Sequence, residues 1–530
     1  MSRRRRRATG HKRQLQLDRR HRPAPRPAPK GKAPRVPAPS GRGWTGRGGG
    51  YSTVVQAADE WRGTTVQVCG LWPFATGSGT PMVGVPLGRS LISGATVCAD
   101  PISWFQDAAL IANPSVFVLG KPGLGKSSIL KRMALGLAGF GVNPLVLGDL
   151  KPDYVKLIAA MGGQVIRLGR GRGYLNVLDA GEALAAADRL TGQARREVLA
   201  DALARRQTMV ATLITLSRGQ APTDREEMIF DRALRVLDER HTGVPVLTDL
   251  ITVIEAAPDT VREAALDRGD LGRYQDLTEQ LLVSLRGLLG RGRLGEIFSE
   301  QSTTAMRRDV PVVFDVSSID DSEVRLQGAA LMACWSHGFA AVNVAGALAD
   351  AGLEPRRHYQ VIADELWRAL RAGQGMVDRV DVLTRLNRTK GVGVAMCSHT
   401  MSDLQALPSE EDRMKAKGFV ERAGMVIVAG LPSSEMPMLT QAVPLSGAEQ
   451  AMVIGWQDPP PWSATNARKT APPGLGKFLI KVGGRSGIPL RVQLTHAELA
   501  LFDTNEAWTE HSRASTGAEY AGDPGAGVAA

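Results

Sequence analysis

SVFVLGKPGLGKSSILKRMALG, residues 115–136, decides the fold. Its first five residues form an unbroken apolar run, the pattern of a strand buried on both faces of a parallel sheet. Gly120-Lys121-Pro122-Gly123-Leu124-Gly125-Lys126-Ser127 then fits Gly-x4-Gly-Lys-[Ser/Thr], and helical periodicity resumes from Ser128. Glycines at these positions let backbone N–H groups turn inward around phosphate oxygens, and the positive end of the following helix favours negative charge there. Residues 120–128, with Ser128 closing the loop, are therefore the candidate nucleotide-binding segment. Lys126 is expected to reach the β- and γ-phosphate oxygens, and the Ser127 hydroxyl to ligate Mg²⁺. ATP and Mg²⁺ are the expected cofactors.

Outward from this loop the chain alternates strand and helix. PLVLGDL (144–150), GQVIRLG (163–169), VPVVFDVSS (310–318), HYQVIADEL (358–366) and GVGVAMCSH (391–399) read as strands, with GMVIVAG (424–430) and PLRVQLT (489–495) following. The alternation implies an α/β fold, a mainly parallel sheet covered by helices on both faces. Residues 115–179 and 309–505 are expected to form the two parts of that core. The Ala-, Leu-, Arg- and Glu-rich block 180–308 is expected to be a helical insertion. Residues 51–114 alternate short β-like runs with Gly/Pro turns and read as a small strand-rich N-terminal region, and 506–530 as a flexible C-terminal tail.

Two further stretches carry chemistry. The strand HYQVIADEL delivers adjacent carboxylates, Asp364 and Glu365, to its end. Asp364 is suited to hold Mg²⁺ through water against Ser127, and Glu365 to polarise the water that attacks the γ-phosphate. Acids at strand ends also cap following helices, but a phosphate loop on the same sheet favours the catalytic reading. The strand GVGVAMC brings Ser398, His399 and Thr400 to the sheet edge where ligands of open α/β sheets bind, so His399 is a candidate γ-phosphate sensor. Arg385 and Arg388 precede that strand; Arg388 is the candidate finger reaching a neighbouring subunit's nucleotide.

Charge and cysteine usage narrow the setting. The 530 residues carry a net +12, yet residues 1–50 hold sixteen Arg or Lys against one acid, Asp18, so the other 480 residues sum to −3. The Pro/Gly/Arg-rich tail lacks the apolar residues needed to offset the entropy of ordering and is expected to be disordered. It reads either as a solubilising arm or as a polybasic segment for anionic lipid or phosphate backbones. No apolar run follows its arginines, which argues against a signal peptide. Cys69, Cys98, Cys334 and Cys397 are scattered without metal-ligand spacing, as in a reduced cytosolic protein lacking structural zinc. Residues 331–353 are the most membrane-like stretch, but Ser336, His337, Asn343 and Asp350 favour a buried soluble helix.

Taken together, these motifs resemble those of the HerA/FtsK superfamily, and more narrowly the conjugation and type IV secretion ATPases of the TraC/TrbE/CagE-like family. NPSVFVLGKPGLGKSS, LVLGDLKPDY, GYLNVLD, PVVFDVSSI, VIADELW with its Asp-Glu-x-Trp, and PLRVQLTHAE follow in that family's order over about residues 110–505. The resemblance implies a RecA-like P-loop NTPase core, working as a hexameric, Mg²⁺-dependent ATPase at the cytoplasmic face of the inner membrane. Such a motor powers transfer of DNA or protein through envelope-channel partners. By position it implies Lys126 and Ser127 as the phosphate-loop pair, Asp364 and Glu365 as the magnesium and water residues, and Arg388 as the finger. His399 stands where the family usually has glutamine, Val177 replaces a proline, and residues 51–114 stand in place of a larger domain. The composition is also similar to that of ATP-binding proteins from actinobacterial mobile elements. A cytoplasmic DNA-translocating ATPase and a nucleotide-gated adaptor are the other readings; the presence of Glu365 argues against the adaptor.

Overall fold

A computed structural model describes residues 81–289, 295–371, 376–385, 391–407, 409–459 and 471–502. The basic tail, the first part of the strand-rich region, Arg388 and the C-terminal tail from 506 lie outside the described residues.

Eleven strands form one sheet among the described residues: β1 (Pro86–Ser90), β2 (Thr96–Cys98), β3 (Ser115–Leu119), β4 (Val142–Asp149), β5 (Gln164–Arg167), β6 (Val312–Asp315), β7 (His358–Ala363), β8 (Val392–Ser398), β9 (Met425–Val428), β10 (Lys477–Lys481) and β11 (Ile488–Val492). Their order is β2-β1-β11-β10-β9-β3-β8-β7-β4-β6-β5. From β9 to β5 every pairing is parallel; from β9 outward to β2 every pairing is antiparallel. The fold is thus an α/β, RecA-like arrangement with a mainly parallel sheet, extended on one side by an antiparallel flank.

β3 shows why the parallel half reads as continuous apolar runs. Val116 and Val118 enter the core on one face while Phe117 and Leu119 enter the core on the other, and all four are fully buried. The first face packs on the helix Lys126–Gly139, where Gly136 lies against Val85. The second is covered by the long helix Val324–Asp350 and by insertion helices. Gly338 of that long helix sits over Leu147 of β4, so close that a Cβ would stand 2.4 Å from the leucine side chain. This helix is long and apolar enough to cross a membrane by length and composition, but 61% of its most apolar window is buried inside the protein. It is a core helix, as its polar residues suggested; Asn343 donates to Asp201 at 3.0 Å.

The block between β5 and β6 is helical throughout its described length, from Ala183–Arg189 and Gly192–Arg218 to Leu271–Arg286 and Gly295–Phe298. Its second and third helices are joined by a polar clasp. Arg218 donates to both oxygens of Glu226 at 2.7 and 2.8 Å, while Glu226 closes a capping box with Thr223. The described part of the strand-rich N-terminal region, β1 and β2, belongs to the main sheet through β11. β10 (KFLIK) was not among the expected strands, because lysines at both ends conceal three buried apolar residues.

Candidate active site

The site lies at the C-terminal ends of β3, β7, β8 and β4, where the parallel strands release their loops. The phosphate loop is anchored on both flanks: Gly120 N–H donates to the His399 carbonyl after β8 at 3.1 Å, and Lys121 N–H to the Gly430 carbonyl after β9 at 3.0 Å. Gly120, at φ +157, packs so tightly on Ala429 that a Cβ would lie 2.5 Å from the alanine Cβ. Gly123 and Gly125 adopt φ +79 and +99, a conformation other residues avoid, and Gly123 faces open space. Gly476 N–H donates to the Leu124 carbonyl at 3.1 Å, fastening the antiparallel flank to the loop. Lys121 Nζ also reaches Gln457 Oε1 at 3.2 Å, and Pro122 lies exposed on the rim.

No side chain caps the helix that starts at Lys126, since its N-cap is Gly125. Its first-turn N–H groups are thereby left to an anion, and the fit to a nucleotide phosphate is good. Lys126 is buried and donates to the Lys121 carbonyl at 3.2 Å, spanning the loop that a phosphate would fill. Ser127 and Ser128 follow in the first turn, both half-buried.

Ser127 Oγ lies 3.1 Å from Asp364 Oδ2, across from the end of β7. This hydroxyl–carboxylate pair is an all-oxygen donor set suited to a hard divalent cation. Among the described residues no three His, Cys, Asp or Glu side chains converge as a metal cage. A site that draws its other ligands from phosphate oxygens and water needs none.

Glu365 follows in a left-handed conformation, φ +54, which is uncommon for a residue with a side chain. Its carboxylate is enclosed by donors: Trp367 Nε1 at 2.6 Å, His399 Nε2 at 3.2 Å and Lys151 Nζ at 3.8 Å. Burial pushes the His399 imidazole below its usual range, with Glu365 opposing that shift, and its Nδ1 is buried without a partner. The Trp367 ring lies beneath the guanidinium groups of Arg368 and Arg371, at 5.1 and 4.8 Å from its centroid.

Sequence reasoning did not assign roles to the turn after β4. Asp149 closes that strand, almost wholly buried, and burial drives its carboxyl well above the usual range. Asp153 is raised for the same reason, and buried Lys131 is lowered by desolvation against the pull of Asp153, Asp149 and Asp364. The available signal was LVLGDLKPDY itself: an acid ending a parallel strand of the same sheet marks the same edge as Asp364.

The architecture is therefore that of a RecA-like P-loop nucleotide-binding protein. Its fold is shared with VirB4 of Thermoanaerobacter pseudethanolicus, at TM-score 0.57 and 19% identity over 80% of this chain and 100% of that one. A plasmid coupling protein, TrwB in complex with ADP and Mg²⁺, aligns at TM-score 0.46 and 13% identity over 80% of this chain and 97% of that one. No protein-family model matches the chain, and no curated protein matches it in sequence.

Proposed function

We propose that this protein is a Mg²⁺-dependent ATP-hydrolysing motor of the conjugative or type IV secretion kind, which drives DNA or protein across the cell envelope. The observation that carries the reading is the Ser127–Asp364 contact of 3.1 Å with Glu365 beside it: residues 237 positions apart meet beneath one phosphate loop. The motif order and the fold shared with VirB4 support the choice among P-loop proteins.

In this reading the loop N–H groups and Lys126 bind the β- and γ-phosphates, and Ser127 and Asp364 hold Mg²⁺, the latter through water. Bound there, Mg²⁺ supplies charge neutralisation at the bridging phosphate oxygens. Glu365 orients the attacking water and accepts its proton at a carboxylate oxygen. In the described state Oε2 is occupied by Trp367 and His399, so Glu365 must exchange at least one of these donors for water before each turnover. His399 lies where it can respond to the γ-phosphate, and its backbone carbonyl already accepts from Gly120. The assembly is proposed to be a homohexameric ring at the cytoplasmic membrane face, with Arg388 acting across subunits. Envelope-channel proteins and DNA are its proposed partners, and the basic residues 1–50 its contact with anionic lipid.

Glu365→Gln tests the core of the reading. The variant is expected to bind ATP with unchanged affinity while turnover falls at least about 100-fold, consistent with loss of a general base. Retained turnover in a phosphate-release assay would remove Glu365 from the mechanism.

A further inference from the structure

The turn after β4 places a phenol directly on the acid assigned to the cation. Asp149 accepts the backbone N–H groups of Tyr154 at 2.8 Å and Asp153 at 3.3 Å, which folds residues 150–154 back beneath the sheet edge. Tyr154 is fully buried by this fold, and Lys131 Nζ lies over its ring, 5.5 Å from the centroid. Its hydroxyl donates to Asp364 Oδ2 at 2.9 Å, 210 residues away in sequence.

Asp364 is thus held at three points. Oδ2 takes both the Tyr154 and Ser127 hydroxyls, and Oδ1 takes the Glu365 backbone N–H at 3.0 Å. Two of these restraints differ in what nucleotide binding asks of them. A serine hydroxyl that ligates a cation must turn a lone pair toward it, so its proton cannot be relied on to hold Oδ2. The phenol has no such competing task, because it is buried away from the loop. Groups that orient a metal-binding carboxylate through hydrogen bonds commonly alter metal affinity when removed.

We infer that Tyr154 is a positioning residue: its hydroxyl fixes the Asp364 carboxylate in the orientation that receives the hydrated divalent cation, and so sets cation affinity without touching the nucleotide. This inference rests on the nucleotide-motor reading of the same site.

The test uses the full-length protein and its Tyr154→Phe variant, which removes one oxygen and keeps the ring. Binding of a fluorescent ADP analogue is titrated in EDTA and again with increasing Mg²⁺, alongside thermal unfolding. The variant is expected to fold, to bind the analogue in EDTA as the wild type does, and to need about ten-fold more Mg²⁺ to reach half-maximal enhancement of binding. An unchanged Mg²⁺ midpoint overturns the inference, as does an unfolded Tyr154→Phe protein, since either makes the phenol a structural group. Should the wild type itself bind the analogue equally well with EDTA and with Mg²⁺, the motor reading fails together with the inference, and that failure appears before any substitution is made.

Discussion

At the scale of single residues, Glu365 and His399 set the chemistry. Glu365 sits at φ +54, a backbone state with a cost on the order of 1 kcal/mol, in a site where Trp367 and His399 hold its carboxylate. With its pKa depressed by burial, His399 is neutral at pH 7 and donates Nε2–H to Glu365. The charged groups acting on it are Glu365, Lys126, Asp403 and Lys151. Because the folded value lies below the unfolded one, protonation is disfavoured in the native state. The neutral contact therefore persists as pH falls past about 6.5 and is lost only below it. An imidazolium formed there would pair with Glu365 and withhold it from water. Turnover of the wild type is expected to decline on the acid side with a midpoint below about 6.5, and His399→Gln should shift that limb further toward acid. Coincident pH–rate profiles for the two proteins would remove His399 from the control of Glu365. Both Lys126 and Glu365 were legible from motif spacing because each belongs to a short contiguous pattern. Tyr154 was not, since the residue it serves is 210 positions distant and no local rule links them.

Among the elements, the long helix Val324–Asp350 shows how close packing replaces a membrane. Its glycine at 338 permits contact with Leu147 on β4, while Gly148, at φ +121, makes room for Leu331 of the same helix. Gly338→Val is expected to destabilise the fold by about 1–3 kcal/mol through overpacking, despite valine's better helix propensity. The check is the denaturant midpoint of the purified variant; no loss of stability would mean that the helix does not rest on β4 through this residue. The parallel strands could be read from sequence because they are buried on both faces and flanked by turns. β10 escaped because Lys477 and Lys481 bracket its apolar centre, and the Lys481 ammonium is buried against Glu449 at 3.1 Å rather than exposed. Charge at a strand end suggests solvent, and only the tertiary partner reverses that inference.

Across the whole molecule, the antiparallel flank β2-β1-β11-β10 was the least legible part of the sheet. β1 and β11 pair Gly88 with Val492, a contact no periodicity could signal. For the assembly, the proposed ring makes a distinct prediction. Subunits carrying Arg388→Ala keep an intact nucleotide site, whereas subunits carrying Lys126→Ala keep an intact finger. Mixing the two inactive proteins is expected to restore a measurable fraction of ATP turnover. Mixed rings verified by mass yet without activity would exclude Arg388 as a trans-acting group.

The position of β3 has a consequence for how the protein is made. Ser115 pairs with Val394 and Val116 with Met425, so the strand bearing the phosphate loop gains both neighbours only from chain translated about 300 residues later. During synthesis that strand emerges early and waits, apolar on both sides, for most of the polypeptide to leave the ribosome. Nucleotide therefore cannot serve as a template for the growing chain, and the exposed interval is the time at which a holding chaperone has most to protect.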